Sequence, residues 1–312
     1  MQLAHAVAAL HDLGVLGALE QPATAEAMAR TYRLDRAMLL GTLDYVSART
    51  DLVRKTGGRF VATRRYANDA RFMLDLYALA YGRNAVQLSK LLRQPSLASR
   101  TVERKHLARA FDRAGSRGLG VLPGIIRQLC LGSVLDLGCG SGALLLEMAA
   151  NDPRFIGWGL EVDATMCKVA RERIRAAGMG NQVHVLRGDA NHVRTALPRN
   201  VISGIAALTA SQFANELFSS GTSRAVTWMR GLRRLFPRRP MFIADYYGRL
   251  GAKAGKTRRE NLVHDFAQLI SGQGIPPSNR DQWAAIYSKA GCRLAHVIED
   301  NSTTLFVHIV VL

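Results

Sequence analysis

Residues Asp136-Leu137-Gly138-Cys139-Gly140-Ser141-Gly142 set an acid beside three glycines at alternate positions. Glycine adopts backbone conformations that a Cβ forbids and lets a ligand approach the main chain closely. A helix starting just beyond offers its N-terminus to negative charge. Alone, such a turn serves several kinds of nucleotide site. Two further acids narrow the chemistry: Glu161 in GLEVD and Asp189 in RGDA, each at the end of a strand-like run. A carboxylate in the first of these places can accept from both hydroxyls of a ribose. Asp189, with Ala190 beside it, can receive an adenine amino group, and Asp136 can hold a cationic amino-acid end. Any one of them is equally a solvated loop acid; it is the ordered set that reads as a cofactor site.

Three other stretches carry side chains suited to a second reactant: Tyr81-Gly82-Arg83, the ASQFANE segment over 210–216, and Val263-His264-Asp265-Phe266. Arg83 can clamp a carboxylate, because a guanidinium binds it through two parallel hydrogen bonds. Among so many arginines it is more simply a surface charge. His264 can serve as a base or a hydrogen-bond donor, or it is an ordinary helix histidine. Gln212 and Glu216 lie in the polar turn after the fourth strand. Tyr81 and Tyr247 are expected to touch the reactant, with Tyr246 either lining the same pocket or packed in the core. Phe111 is placed over the cofactor.

These groups need a scaffold. From Leu131 onward strands alternate with helices: SVLDL, FIGWGLE, VHVLR, VISGIAAL and MFIADYY, with a helix over 222–235 before the last. That grammar predicts an α/β fold with a parallel sheet covered on both faces. LAHVIED and TTLFVHIVVL, separated by Asn301-Ser302, read as a final antiparallel pair. Ahead of this unit the spacing predicts a helix over 3–19, helices from Thr24 and from Asp35 to Arg49, and a hairpin around Gly57-Gly58. Helix, helix–turn–helix and hairpin make a winged-helix-like unit. Residues 66–128 form a basic helical bridge.

VLDLGCGSG, then GLEVD, then RGDA resemble the first three motifs of the class I S-adenosylmethionine (SAM)-dependent methyltransferases, over roughly residues 105–312. The resemblance implies a Rossmann-like sheet and SAM as cofactor, bound by Asp136, Gly138, Gly140, Gly142, Glu161, Asp189 and Ala190. The front end, 1–104, is similar to the mainly α, winged-helix-like domain of plant and bacterial small-molecule methyltransferases, where it serves dimerisation and covers the substrate. The order YGR, polar turn, VHDF and WAAIYSKAG resembles bacterial 2-oxo acid C-methyltransferases of the 2-ketoarginine and phenylpyruvate type. In that group a histidine after strand four and the one matching His264 flank the substrate, in some members as metal ligands. Here Gln212 stands in the first place. One imidazole and an amide make a poor metal site, so no metal is expected, and Gln212 and His264 are the catalytic candidates. The implied substrate is a small carboxylated metabolite, a 2-oxo acid or an amino acid. The alternatives are S- or N-methylation of a free amino acid such as methionine, and O-methylation of a small aromatic.

Composition tests this reading from outside. Lysine and arginine number 42 against 24 acids, a formal charge of +18, which invites an RNA methyltransferase or a SAM-sensing DNA-binding regulator. Yet the segment RAMLLGTLDYVSAR, where a recognition helix would lie, is largely apolar, with few side chains fit to reach base edges. Arg230, Arg233, Arg234, Arg238 and Arg239 read as the solvated end of a helix. Nucleic acid is therefore an unlikely partner, and the charge is a surface property. No apolar run reaches the ~18 residues of a membrane span. Four scattered cysteines and the absence of a secretory leader pattern point to the cytoplasm. A homodimer is expected.

Overall fold

A computed structural model describes residues 2–118, 121–219, 221–251, 259–300 and 304–312. The first helix, Gln2–Asp12, stops before Gly14, whose φ is 80°. A glycine in the left-handed region ends a helix cheaply, so the single helix expected over 3–19 is two, the second being Val15–Ala18. Helices Ala25–Tyr32 and Arg36–Arg49 start where their caps dictate: Thr24 accepts from the Ala27 amide and Asp35 from the Met38 amide. The short strands β1 (Ala23–Thr24), β2 (Val53–Thr56) and β3 (Arg59–Ala62) form an antiparallel sheet in the order β1-β3-β2. Its hairpin turns at Gly57 and Gly58, both with positive φ. Leu16, Leu43, Val46 and Phe60 are buried between these helices and the hairpin.

The bridge is helical but irregular. Tyr66–Ala70 and Leu74–Ala80 are π-helical, and the Tyr81 amide donates to the Leu76 carbonyl five residues back. Widened turns of this kind recur at functional sites. The bridge is tied down by a buried polar chain. His11 meets the Tyr66 hydroxyl at 2.8 Å and Asp75 at 3.1 Å, and Arg113 donates to Asp75 at 2.7 Å. Burial alone would raise the Asp75 pKa; the hydrogen bonds from His11 and Arg113 outweigh it and hold the carboxyl below its usual value.

Seven strands form the second sheet: β4 (Ser133–Leu137), β5 (Ile156–Glu161), β6 (Val183–Arg187), β7 (Ala207–Ser211), β8 (Pro240–Tyr246), β9 (Arg293–Glu299) and β10 (Leu305–Val311). Their order is β6-β5-β4-β7-β8-β10-β9, parallel except for β10, which runs antiparallel to both of its neighbours. The helix at Thr222–Leu235 and the final antiparallel pair match the sequence expectation, but the fourth strand does not: Arg199–Gly204, which covers the first half of VISGIAAL, is a helix that starts after Pro198, and the strand runs over Ala207–Ser211. The Asn301-Ser302 turn lies outside the described residues. Val134 to Leu137 are buried on both faces, as a strand inside a two-sided parallel sheet must be. Leu160, Leu208, Trp228 and Trp283 pack one face, and Leu145, Phe155, Cys167 and Ile174 pack the other.

From β4 the chain first builds outward through β5 and β6, then returns to the other side of β4 with β7 and β8. That reversal opens a crevice at the carboxyl ends of β4 and β7, where open α/β sheets bind ligands. Among the described residues no helix is long and apolar enough to cross a membrane.

Candidate active site

The glycine loop leaves β4 at this crevice. Gly138, Gly140 and Gly142 take φ values of 72°, 54° and 74°, so each fills a conformation in which a side chain is strained. A Cβ on Gly138 would come within 2.5 Å of the Phe213 ring, and one on Gly140 within 3.3 Å of Met166. Gly142 caps the helix Ala143–Asn151. Glu161, at the end of β5, accepts from the Gly140 amide at 3.0 Å and the Asp163 amide at 2.8 Å. Burial raises its pKa, and those two amides offset part of the rise. The acid read as a ribose ligand thus also holds the loop in shape.

Asp136 is 3% exposed and accepts from the Thr209 hydroxyl at 2.7 Å. Burial pushes its pKa up to about 7, with the Glu161 charge adding to the rise. A buried acid in that state fits the ammonium group of a bound amino-acid moiety. Asp189 lies at the rim and accepts from the Asn191 amide at 2.8 Å and from His192 at 3.0 Å. Burial works against its ionisation, but these partners hold its pKa below the usual value. The Ala190 carbonyl accepts from the Trp228 indole at 2.9 Å, which anchors the loop after β6 to the helix Thr222–Leu235.

A second polar cluster stands over β7 and β8. Helix Arg259–Ile270 brings His264 against Tyr77 of the π-helical bridge, with a hydrogen bond of 2.9 Å, and edge-on to Tyr246 at 4.7 Å between ring centroids. One helical turn on, the Gln268 amide nitrogen lies 3.4 Å from the other His264 nitrogen, and the Asn215 amide donates to Gln268 at 3.0 Å. Asn215 in turn is held by its own backbone amide, which donates to Asp245 at 3.0 Å. Desolvation lowers the His264 pKa to about 4, so its ring is neutral at physiological pH. Burial likewise lifts Asp245 to about 7 and raises Glu216, which accepts from Gln273 at 2.7 Å.

Cofactor crevice and polar cluster meet at Arg104. Its guanidinium lies 3.9 Å from Asp163 and acts electrostatically on Glu161, Glu216 and Tyr81.

Two expected contacts are not made. The Arg83 side chain is 63% exposed and pairs with Glu103, because its place on the short helix Gly82–Val86 turns it to solvent. Tyr247 follows Tyr246 in the strand and so points to the opposite face, where its hydroxyl donates to Glu299 and meets His308 at 3.0 Å. Tyr246, not Tyr247, faces His264. Tyr81 is buried in the cluster, at 1% exposure. Phe111 packs with Tyr77 against the cluster of Leu76, Ala80 and Leu107. Gln212 sits in the turn after β7 with a φ of 52°, its amide donating to the Ala244 carbonyl at 2.8 Å.

A non-glycine residue in that conformation costs on the order of 1–2 kcal/mol, and such strain gathers at functional sites. Gln212→Gly is expected to hold or raise stability by about 0.5 kcal/mol, after the added flexibility of the unfolded chain is set against the relief. If the Gln212 amide serves the reaction, turnover falls roughly tenfold in the same variant; urea unfolding and initial rates measure the two effects. Asn84 gives a contrasting case. Buried in the bridge, it donates to the Ala98 and Ile270 carbonyls at 2.8 and 2.9 Å, tying down the end of the helix that carries His264. Asn84→Ala is expected to cost about 2 kcal/mol in urea unfolding, since it strands two buried carbonyls.

Arg104, Tyr77 and Gln268 are not marked by any motif in the sequence, and Phe213, Asn215 and Asp265 have no role assigned there although their segments stand out. Helical spacing from His264 to Gln268 was available as a signal; nothing in the sequence brings Tyr77 to His264. Among the described residues no group of three His, Cys, Asp or Glu could hold a metal ion.

Strand order, glycine loop and strand-end acids together define the class I methyltransferase fold. Residues 134–219 match the family model described as a methyltransferase domain, a domain whose cofactor is SAM. The chain is 25% identical over 184 residues to the methyltransferase ungE' of Aspergillus campestris, covering 55% of this chain and 52% of that protein. It thus spans about half the length of that curated relative. Among solved structures, the mitomycin 7-O-methyltransferase MmcR matches with a TM-score of 0.71 and 19% identity, over 99% of this chain and 94% of the other. Human N-acetylserotonin methyltransferase in complex with SAM matches with a TM-score of 0.76 and 14% identity, over 99% and 94%. These structural likenesses extend through the N-terminal helices and bridge as well as the sheet.

Proposed function

We propose that this chain transfers the methyl group of SAM to an oxygen of a small molecule. The observation that carries the cofactor half is the cradle itself: three glycines at positive φ, Gly138 closed to a Cβ by the Phe213 ring, Glu161 bonded to the Gly140 amide, and a buried Asp136 suited to an ammonium group. When bound, SAM supplies an electrophilic methyl on a sulfonium. The protein's part is to align the acceptor in line with that methyl and to exclude water. Calorimetry on protein freed of copurified cofactor tests the reading: SAM and S-adenosylhomocysteine are expected to compete for one site, and absence of binding by both would overturn it.

An oxygen acceptor is favoured because both structural neighbours named above are O-methyltransferases or methylate N-acetylserotonin, by their names. His264 is a neutral imidazole because desolvation lowers its pKa to about 4, and it keeps an acceptor nitrogen 3.4 Å from the Gln268 amide while the other nitrogen meets Tyr77; in this proposal that acceptor nitrogen takes the proton lost by the hydroxyl as the carbon–oxygen bond forms and the methyl–sulfur bond breaks. The carboxylated 2-oxo acid or amino acid implied by the sequence resemblance is the second reading. Its support is Arg104, a cation beside the cluster, in the role first given to Arg83.

Residues 1–104 form, in this proposal, a winged-helix-like cap and dimerisation unit, and 105–312 the transfer unit. Met38 and Tyr45, at 74% and 38% exposure and seven positions apart on one face of the helix Arg36–Arg49, supply an apolar surface for the partner in a homodimer. The free state of Cys130, Cys139, Cys167 and Cys292 accords with a cytoplasmic setting.

A further inference from the structure

Strand β6 is an outer edge of the seven-stranded sheet. Such an edge presents main-chain donors and acceptors that must be paired, covered or blunted. Its parity is fixed from both ends: the Gly157 amide donates to the Gln182 carbonyl, and the Gly188 amide donates to the Glu161 carbonyl. Even-numbered residues of β6 therefore turn their main-chain groups to β5, while Val183 and Val185 turn theirs outward. Two of these outward groups are engaged. The Val183 amide donates to the Met179 carbonyl at 3.0 Å, and the Arg171 guanidinium donates to the Val185 carbonyl at 3.1 Å. The Val183 carbonyl and the Val185 amide have no partner among the described residues.

A groove of about 620 Å³ follows this edge and reaches both faces of the sheet. Its side chains differ by face. On one, His184 lies opposite Trp158 in the parallel register, their rings tilted by 35° with centroids 4.5 Å apart, and Leu186 follows. On the other, the helix Ala164–Ala176 sets Arg171 and Arg175 one turn apart beside Val183 and Val185. Neither guanidinium makes an ion pair among the described residues, and Glu172, the acid between them, lies 3.9 Å from Lys168.

A strand added to a sheet edge sends alternate side chains to opposite faces. In this groove one set would meet two cations, and the other an indole, an imidazole and a leucine. Blunting the edge accounts for Arg171 alone; it leaves Arg175 and the aromatic pair without a part. A second copy of this chain is a poor occupant, since antiparallel pairing of two β6 edges sets the arginines of one beside those of the other. The formal charge of +18 favours an acidic partner in the same sense.

We propose that the β6 edge docks an extended segment of an acidic partner protein, in which carboxylates alternate with apolar side chains. The carboxylates meet Arg171 and Arg175, and the apolar side chains meet Trp158, His184 and Leu186. The segment's main chain pairs with the Val183 carbonyl and the Val185 amide. In the free chain Arg171 guards the edge. An incoming carboxylate, a stronger acceptor than a carbonyl for a guanidinium, draws it off Val185 and frees that carbonyl for a further amide.

The test uses the full chain and a short labelled peptide in which glutamate alternates with valine, with binding followed by fluorescence anisotropy. Saturable binding is expected, and it is expected to weaken about tenfold when the same residues are arranged in two blocks or when lysine replaces glutamate. Two further peptides carry N-methyl groups, one on every glutamate and one on every valine. Only alternate amides of an added strand face β6, so one of the two is expected to lose binding while the other keeps it. Arg175→Glu, a change at an exposed position, is expected to weaken the glutamate peptide about tenfold and to strengthen the lysine peptide, with the melting temperature unchanged. Absence of saturable binding overturns the proposal. So does equal binding of the alternating and block peptides, which leaves charge alone at work, or equal binding of the two N-methylated peptides, which excludes strand pairing. Unchanged affinities for both peptides in a folded Arg175→Glu place the binding elsewhere and overturn it as well.

Discussion

Gly138→Ala is expected to weaken SAM binding by about a hundredfold. The added methyl would stand 2.5 Å from the Phe213 ring, at a φ of 72°. The backbone strain costs about 1–2 kcal/mol, and forcing the ring aside adds on the order of 1–3 kcal/mol. Together they approach the roughly 2.7 kcal/mol that separates a hundredfold change in affinity. A double-mutant cycle divides the two contributions. Phe213→Ala in the Gly138→Ala background removes the clash but leaves the strain, so about half of the lost binding free energy is expected to return. Calorimetric titration with SAM gives all four dissociation constants. Simple additivity would show that Phe213 does not shape the cradle.

The second large effect concerns pH. Asp136 has a pKa of about 7 in the free protein, raised by burial. Below that pH it is protonated, and an arriving ammonium group must expel the proton before pairing with the carboxylate. SAM affinity is therefore expected to fall about tenfold for each unit of pH below 7, and to level off above it. Titrations in buffers of different ionisation heat at pH 6 are expected to show nearly one proton released per SAM bound. In Asp136→Asn both the slope and the proton release disappear. Stability without ligand runs the opposite way. A carboxyl whose folded pKa lies above its unfolded value binds more protons when folded, so the contribution from Asp136 declines as pH rises from about 4 to 7 and is then constant.

The parallel sheet and cofactor crevice were legible because their signals are local. A buried strand, a glycine turn and an acid at the strand end are read from a few neighbouring residues, and β4, β5 and β6 deliver Asp136, Glu161 and Asp189 as that pattern requires. The polar cluster around His264 is assembled from parts distant in the chain. Tyr77 and His264 are 187 positions apart, and they meet only because the bridge folds back over β8. Its π-helical turns have no hydrophobic period that a helix or strand template detects, so the direction of Tyr77 was hidden. Arg83 was singled out for its chemistry, but exposure decides the role of a guanidinium, and that depends on which way a five-residue helix is turned. The choice between Tyr246 and Tyr247 likewise turned on strand parity at the end of β8, where one residue of register exchanges the two faces. Gly14 shows the same limit at smaller scale, since only its left-handed backbone reveals where the first helix breaks.

The insertion of β10 between β8 and β9 governs the sequence of assembly. During synthesis β9 emerges before the one strand it can pair with, and the outer edge of β8 stays open until β10 arrives. His308 on β10, fully buried, then bridges Tyr247 just after β8 and Tyr287 on the helix Arg280–Lys289. Until that moment the nascent chain carries two unprotected strand edges, a state prone to joining another chain. On the other side of the sheet, β6, β5, β4 and β7 pair in that order, and β8 adds to β7.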